Sequence, residues 1–282
     1  MEQTIVQNTA KQTDNNAVSK KEKKIPVGCR QKNKFIPCFM AGTVLLTVIS
    51  LMYLEIDWIK LASRVPEIGK VFAELAHFDF SNMDLIFSSM LETISIAVLS
   101  LLYSLILGVV FGMIAARNIL RIKWLSVLTQ SLFTFLRAVP TPVWVLLMLV
   151  CLGMGPEAGV AGLCVHTTAF FTKTFAQSFE SIPDETLEAL EATGTSRISI
   201  FVNAVLPAAF SQIAAWTGMR LETNFSECAV LGMVGAGGVG FVISRNLQSY
   251  EYGTAGLAIV LVFAVAYCIE RLFVAIKKKI AQ

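Results

Sequence analysis

The sequence is short of charge. Only 15% of its 282 residues are Asp, Glu, Lys or Arg, against about 25% in an ordinary soluble domain. Hydrophobic residues make up 55%, and the mean hydropathy is +0.66. Too few polar groups are present to cover a globule of this size, which excludes a water-soluble domain and turns most of the chain toward lipid or another apolar surface. Paired cysteines are missing too. Cys29, Cys38, Cys151, Cys164, Cys228 and Cys268 are scattered singly, with no C-x-x-C and no His at ligand spacing, so neither a disulfide framework nor a metal site is expected. There is no G-x-x-x-x-G-K-[ST] phosphate loop and no nucleophile–base constellation, so no catalytic residue and no cofactor are expected. The net charge of +3 is small, and nucleic acid is not an expected partner.

What is present is a series of long apolar runs. Residues 1–34 are polar and basic, which reads as a disordered tail. Because the first apolar run starts only near residue 35, no cleavable signal peptide is expected. Residues 35–54 supply a first membrane helix: at ~1.5 Å per residue they span the ~30 Å hydrocarbon core. Residues 55–84 are mixed and weakly acidic, and a second run follows from about Leu85 to Ala115. The basic tail and the cluster Arg117, Arg121 and Lys123 flank these two spans at their far ends. The positive-inside rule therefore puts the N-terminus in the cytoplasm and 55–84 outside. A third run, Trp124 to Met154, is interrupted at Pro140 and Pro142 and reads as a short interfacial or re-entrant helix, then a membrane helix from about Thr141. Further spans run from about Gly159 to Phe179, Phe201 to Val234 and Thr254 to Ile276. The expected fold is all-α and polytopic: six transmembrane helices, a membrane domain over 85–276, and a basic cytoplasmic tail at 277–282.

"GAGGVG" at 235–240 matches the dinucleotide pattern G-x-G-x-x-G through Gly235, Gly237 and Gly240. A Rossmann site needs a preceding strand and an acid roughly 20 residues on. An apolar helical run precedes this segment, and the downstream stretch is "GLAIVLVF". Gly235, Gly237, Gly238 and Gly240 are read instead as a helix-ending turn on the outer side, a candidate gate.

The most polar stretch after residue 84 is "ESIPDETLEALEATGTSRIS", whose local signals are helical. Ser181 and Asp184 form an S-x-x-D cap pattern, Pro183 suits a first helical position, Gly194 suits a helix stop, and Thr195 or Ser196 can cap a second helix. The expectation is a cytoplasmic helical hairpin at 181–197. Glu188-Ala189, then Gly194, then Leu206-Pro207, with Pro207 thirteen positions after Gly194, together resemble the E-A-A…G…I-x-L-P signature of ABC importer permeases. Leu190 and Ala204 depart from that pattern while staying apolar. "FLRAVPTPVW", "GPEAGVAGLCVHT", "NFSECAVLGMVGAGGVG" and "YEYGTA" narrow the resemblance to permeases of phosphonate import. The resemblance implies a coupling hairpin seated on an ABC ATPase dimer, a second copy of this chain in the membrane, and an external phosphonate-binding protein. Methionine permeases share some of these pieces, and an ion-coupled secondary transporter is the competing class.

Ionisable groups inside a membrane are costly and point to function by default. Arg220, Asn224 and Glu227 fall at i, i+4 and i+7, one helix face. Two readings stand: Arg220 and Asn224 line a path for an oxyanion, or Arg220 is neutralised by Glu227 or Glu222. Arg137 either faces that path or holds lipid phosphate at the interface. His166 is a further path candidate or an ordinary helix contact.

Overall fold

The computed structural model describes residues 35–54 and 56–280. The tail expected at 1–34 lies outside them. The chain divides into two units, Met1–Ser63 and Arg64–Gln282. In the first unit, α1 (Phe35–Tyr53) buries no residue, as suits a single apolar helix made to face lipid. Asp57 then accepts a hydrogen bond from the Lys60 backbone N–H at 3.0 Å and so opens α2 (Trp58–Leu75), whose last turns belong to the second unit. The mixed composition of 55–84 conceals this helix. Trp58, Leu61, Val65, Ile68 and Phe72 recur at helical spacing with the charges between them, a pattern that reads as polar only when averaged.

The second unit is built on α3 (Met83–Ala115) and α6 (Pro156–Glu180). Small residues repeat every four positions along α3: Ser100, Ser104, Gly108 and Gly112, all buried. Against them α6 sets Phe171, Phe175 and Phe179, also at every fourth position and fully buried. Phe171 and Phe175 stack at 4.8 Å. A seam of small residues lets two helices approach where no hydrophobic effect drives them together. A Cβ on Gly108 would collide with that of Phe171. Gly108→Leu is therefore expected to cost about 1–3 kcal/mol, read as a lowered melting temperature in detergent. Gly42→Leu on α1, where nothing lies within 4 Å, should leave it unchanged.

α4 (Lys123–Ala138) and α5 (Thr141–Leu152) meet at a bend of 88°. Pro140 and Pro142 withhold two backbone donors at the corner, and Trp144 closes it by donating its indole N–H to the Leu136 carbonyl at 3.0 Å. α5 is 12 residues, about 18 Å, too short to cross alone. This corrects the expected membrane helix from Thr141: only the bent pair has the length of a span.

α7 (Asp184–Ala192) and α8 (Arg197–Ile200) follow. A π-helical turn, Phe201–Val205, joins α8 to α9 (Leu206–Leu231), and a second one, Gly232–Ala236, ends α9. The first sits directly before Pro207, which has no N–H to give to the Asn203 carbonyl, so the ladder shifts and Leu206 N–H reaches Phe201. α10 (Gly238–Gln248) and α11 (Tyr252–Ile280) complete the unit. α10 is a buried helix not anticipated from the sequence, and α11 carries helix past Ile276 into residues placed in the tail. Outside the spans, Asp79 accepts bonds from the Ser81 hydroxyl and backbone N–H, which holds its carboxyl below the usual carboxylate range.

Among the described residues four helices are long and apolar enough to cross a membrane, and the bent pair makes a fifth crossing if counted as one. α6 has the length, 25 residues, but not the apolarity. Its Thr167, Thr168, Thr172, Thr174 and Ser178 are buried in protein instead of facing lipid. By length and composition the described helices thus give four crossings, or five with the bent pair, and the six expected are reached only if α6 also crosses.

Candidate functional site

Two regions bring the singled-out residues together. At one end, α7 lies on the turn after α3. Leu187 is its anchor, buried in a cluster with Ile119, Phe179, Ile200 and Phe201. Arg121 reaches Glu188 and Glu191, each at 3.4 Å, and Arg197 reaches Glu191 at 3.3 Å and the Leu120 carbonyl at 2.9 Å. Arg121 holds φ +53°, a conformation uncommon for non-glycine residues, and these carboxylates are what it gains there. Ala189 stays exposed on the opposite face with Glu185. A cleft of about 540 Å³ opens beside α7 between Arg117, Asn118 and Asp184.

The local grammar of the hairpin holds in part. Gly194 takes φ +80° and stops α7, and Ser196 caps α8 by accepting from the Ser199 N–H at 3.4 Å. Ser181 does not cap α7. Its hydroxyl turns back to the Ser178 carbonyl at 2.7 Å, and α7 opens on Pro183 with no side-chain cap. Nor is α8 a free second helix, since it runs through the π-helical turn into α9. The chain after Glu188 and Gly194 thus runs without a loop from α8 into the Leu206-Pro207 start of α9.

The second region lies between α6 and α9. Arg220 is 5% exposed. Its NH1 and NH2 meet the two Glu227 carboxylate oxygens at 3.3 Å each. Nε and NH2 donate to Thr167 Oγ1 at 3.3 and 3.2 Å, and NH2 donates to His166 Nδ1 at 3.0 Å. Because a guanidinium only donates, Nδ1 must accept, and the His166 proton sits on Nε2. Thr167 donates its own hydroxyl hydrogen bond to Asn224 Oδ1 at 3.0 Å, and Asn224 Nδ2 donates to Ser100 on α3 at 3.3 Å. Glu227, not Glu222, is thus the partner of Arg220, as the seven-residue spacing allows. Asn224 is fully buried. Arg137, exposed at the last turn of α4, lies over the Phe170 ring at 5.4 Å, and Arg220 lies 5.5 Å from the same ring.

Thr167, Ser100 and Phe170 went unread in the sequence because nothing local marks them. Thr167 is simply the neighbour of His166.

The glycine segment is flanked by helix on both sides. Gly235, Gly237 and Gly238 all have positive φ, between +71° and +107°, which a side chain would resist. Val239 N–H donates to Thr93 at 2.8 Å, so α3 caps α10. A Cβ on Gly237 would stand 2.6 Å from the Glu92 carboxylate, and Gly240 packs against the backbone of Gly232. No group of three or more potential metal ligands occurs among the described residues.

A family model described as "Binding-protein-dependent transport system inner membrane component" matches residues 108–282, from the second half of α3 onward. The chain belongs to that family. This permease is 28% identical over 228 residues to the phosphate-import permease protein PhnE of Mycolicibacterium smegmatis, covering 80% of this chain and 42% of that protein. It thus spans about two-fifths of that relative. It is 26% identical over 215 residues to the phosphite transport system permease protein PtxC of Stutzerimonas stutzeri, covering 76% and 78%. A chain of the inward-facing MetNI methionine ABC transporter superimposes with a TM-score of 0.64 at 21% identity, over 73% of this chain and 100% of that one. A bacterial alginate ABC transporter captured with its periplasmic protein gives 0.59 at 17% identity, over 87% and 96%. The permease therefore has the fold of ABC importer membrane subunits, and it is a multi-pass inner-membrane component.

Proposed function

We propose that this permease is the membrane-spanning subunit of an ATP-driven importer for a phosphonate or a related phosphorus oxyanion. In this reading a homodimer of the chain, with both termini cytoplasmic, sits on two ATPase subunits and receives substrate from an extracytoplasmic binding protein. The observation that carries it is the mechanical continuity from α7 to the far end of α9. α7 presents Ala189 and Glu188 outward while Leu187 and the Arg121 and Arg197 pairs fix it to the turn after α3. From Arg197 the chain stays helical through α8, the first π-helical turn and α9 until Gly235 breaks it with φ +107°, roughly 55 Å of helix. A partner that closes on ATP and moves α7 would move one rod carrying Leu206, Pro207, Arg220 and Glu227, and ending at the glycine segment. Coupling of two sites requires such an element with two positions. The names of the PhnE and PtxC relatives support the substrate class.

The test is uptake of radiolabelled methylphosphonate by cells carrying the full system, with and without this chain. Uptake that depends on the chain is expected. Dependent uptake of methionine, with none of methylphosphonate, phosphite or phosphate, would overturn the substrate assignment.

A further inference from the structure

Three elements, α4, α6 and α9, converge on Phe170. We propose that Arg137 and Arg220, which both lie over the Phe170 ring, form a low-affinity site for a tetrahedral phosphorus oxyanion inside the membrane domain, and that Glu227 keeps the site weak. The proposal deepens the import reading and rests on it.

The two guanidinium carbons lie 5.4 and 5.5 Å from one ring centroid, so they are no farther apart than about 11 Å end to end. Like charges this close in a poorly screened setting repel. Among the described residues Arg137 makes no ion pair or hydrogen bond, and only the ring face holds it. With His166 accepting through Nδ1, the cluster holds two cations against one carboxylate, an excess of one positive charge. A singly charged oxyanion brings it to neutrality. The Arg137 fork can hold two oxygens of such an anion, and its third oxygen can accept from an Arg220 N–H shared with Glu227.

Glu227 is placed to regulate that contact. Its two arms to Arg220 are both 3.3 Å, longer than the ~2.7–2.9 Å of a tight charge-assisted pair. Its side chain keeps 26% exposure, against 6% for Arg220. It shares Arg220 with any incoming anion and repels that anion directly. A carrier must release what it binds, and a resident carboxylate keeps the site shallow. Arg137 sits in the last turn of α4, directly before the 88° bend into α5.

The test is binding of methylphosphonate to the full chain, purified in an uncharged detergent and stripped of lipid, followed by phosphorus NMR line broadening. Arg137 is exposed, so its variants should fold. Arg137→Gln is expected to weaken binding about tenfold, with Arg137→Lys in between, and Glu227→Gln to tighten it about tenfold. Equal binding by wild type and Arg137→Gln overturns the site, as does no binding by either wild type or Glu227→Gln. If Arg137→Gln loses phosphatidylglycerol but not methylphosphonate, Arg137 holds a headgroup and the site also falls. Uptake by whole cells separates the two levels. Uptake that persists unchanged in Arg137→Gln overturns only the site, while no uptake by wild type overturns the import reading itself.

Discussion

Gly194→Val is expected to reduce uptake to less than about a tenth and to remove the ATPase from the purified complex, with the membrane domain still folded. At φ +80° a β-branched residue is a true outlier, costing on the order of 1–2 kcal/mol. A Cβ there meets nothing within 4 Å, so no packing is lost. The strain is relieved by re-aiming α7 relative to α8, and the angle between them is what the partner would read. Gly194→Asn is the control, because Asn tolerates the left-handed region at a helix C-terminus, and it should keep most uptake. Co-purification and transport assays on the two variants decide this. Normal assembly and uptake by the valine variant would remove the docking role from 181–197.

Arg220→Leu is expected to abolish transport and to destabilise the chain, and the two effects can be separated. Removing the guanidinium leaves Glu227, Thr167 and His166 without their shared donor. Breaking a fully buried pair costs about 3–5 kcal/mol. Glu227 retains 26% side-chain exposure, so a cost of about 2–3 kcal/mol is expected here. The double variant Arg220→Leu/Glu227→Leu removes the orphaned charge and should recover most of the melting temperature. It should not recover uptake. Recovery of both would make the arginine a packing device and nothing more.

The features legible in the sequence were those set locally or by periodicity. Apolar runs located α1, α3, α9 and α11, Gly194 and Ser196 marked the end of α7 and the start of α8, and the spacing of Arg220 and Glu227 put them on one face, where they pair. The unread features depend on partners far along the chain. Arg117 and Arg121 read only as a topological marker; that Arg121 clamps Glu188 and Glu191 requires α3 to end beside α7. The Ser–Gly seam of α3 was visible at fourfold spacing, but its meaning came from the Phe171–Phe175–Phe179 ladder it faces. Ser181 misled because its hydroxyl had a nearer acceptor at the end of α6. α2 was hidden by averaging over its two faces. α10 was hidden because it opens inside the glycine segment, on Gly238 and Gly240, and its cap comes from Thr93, far along the chain.

The most direct measurement is methylphosphonate flux into proteoliposomes holding the permease with its ATPase and binding protein. Uptake should need ATP inside and all three components, and should stop when the ATPase is omitted. Uptake by the permease alone, driven by an ion gradient and indifferent to ATP, would contradict it.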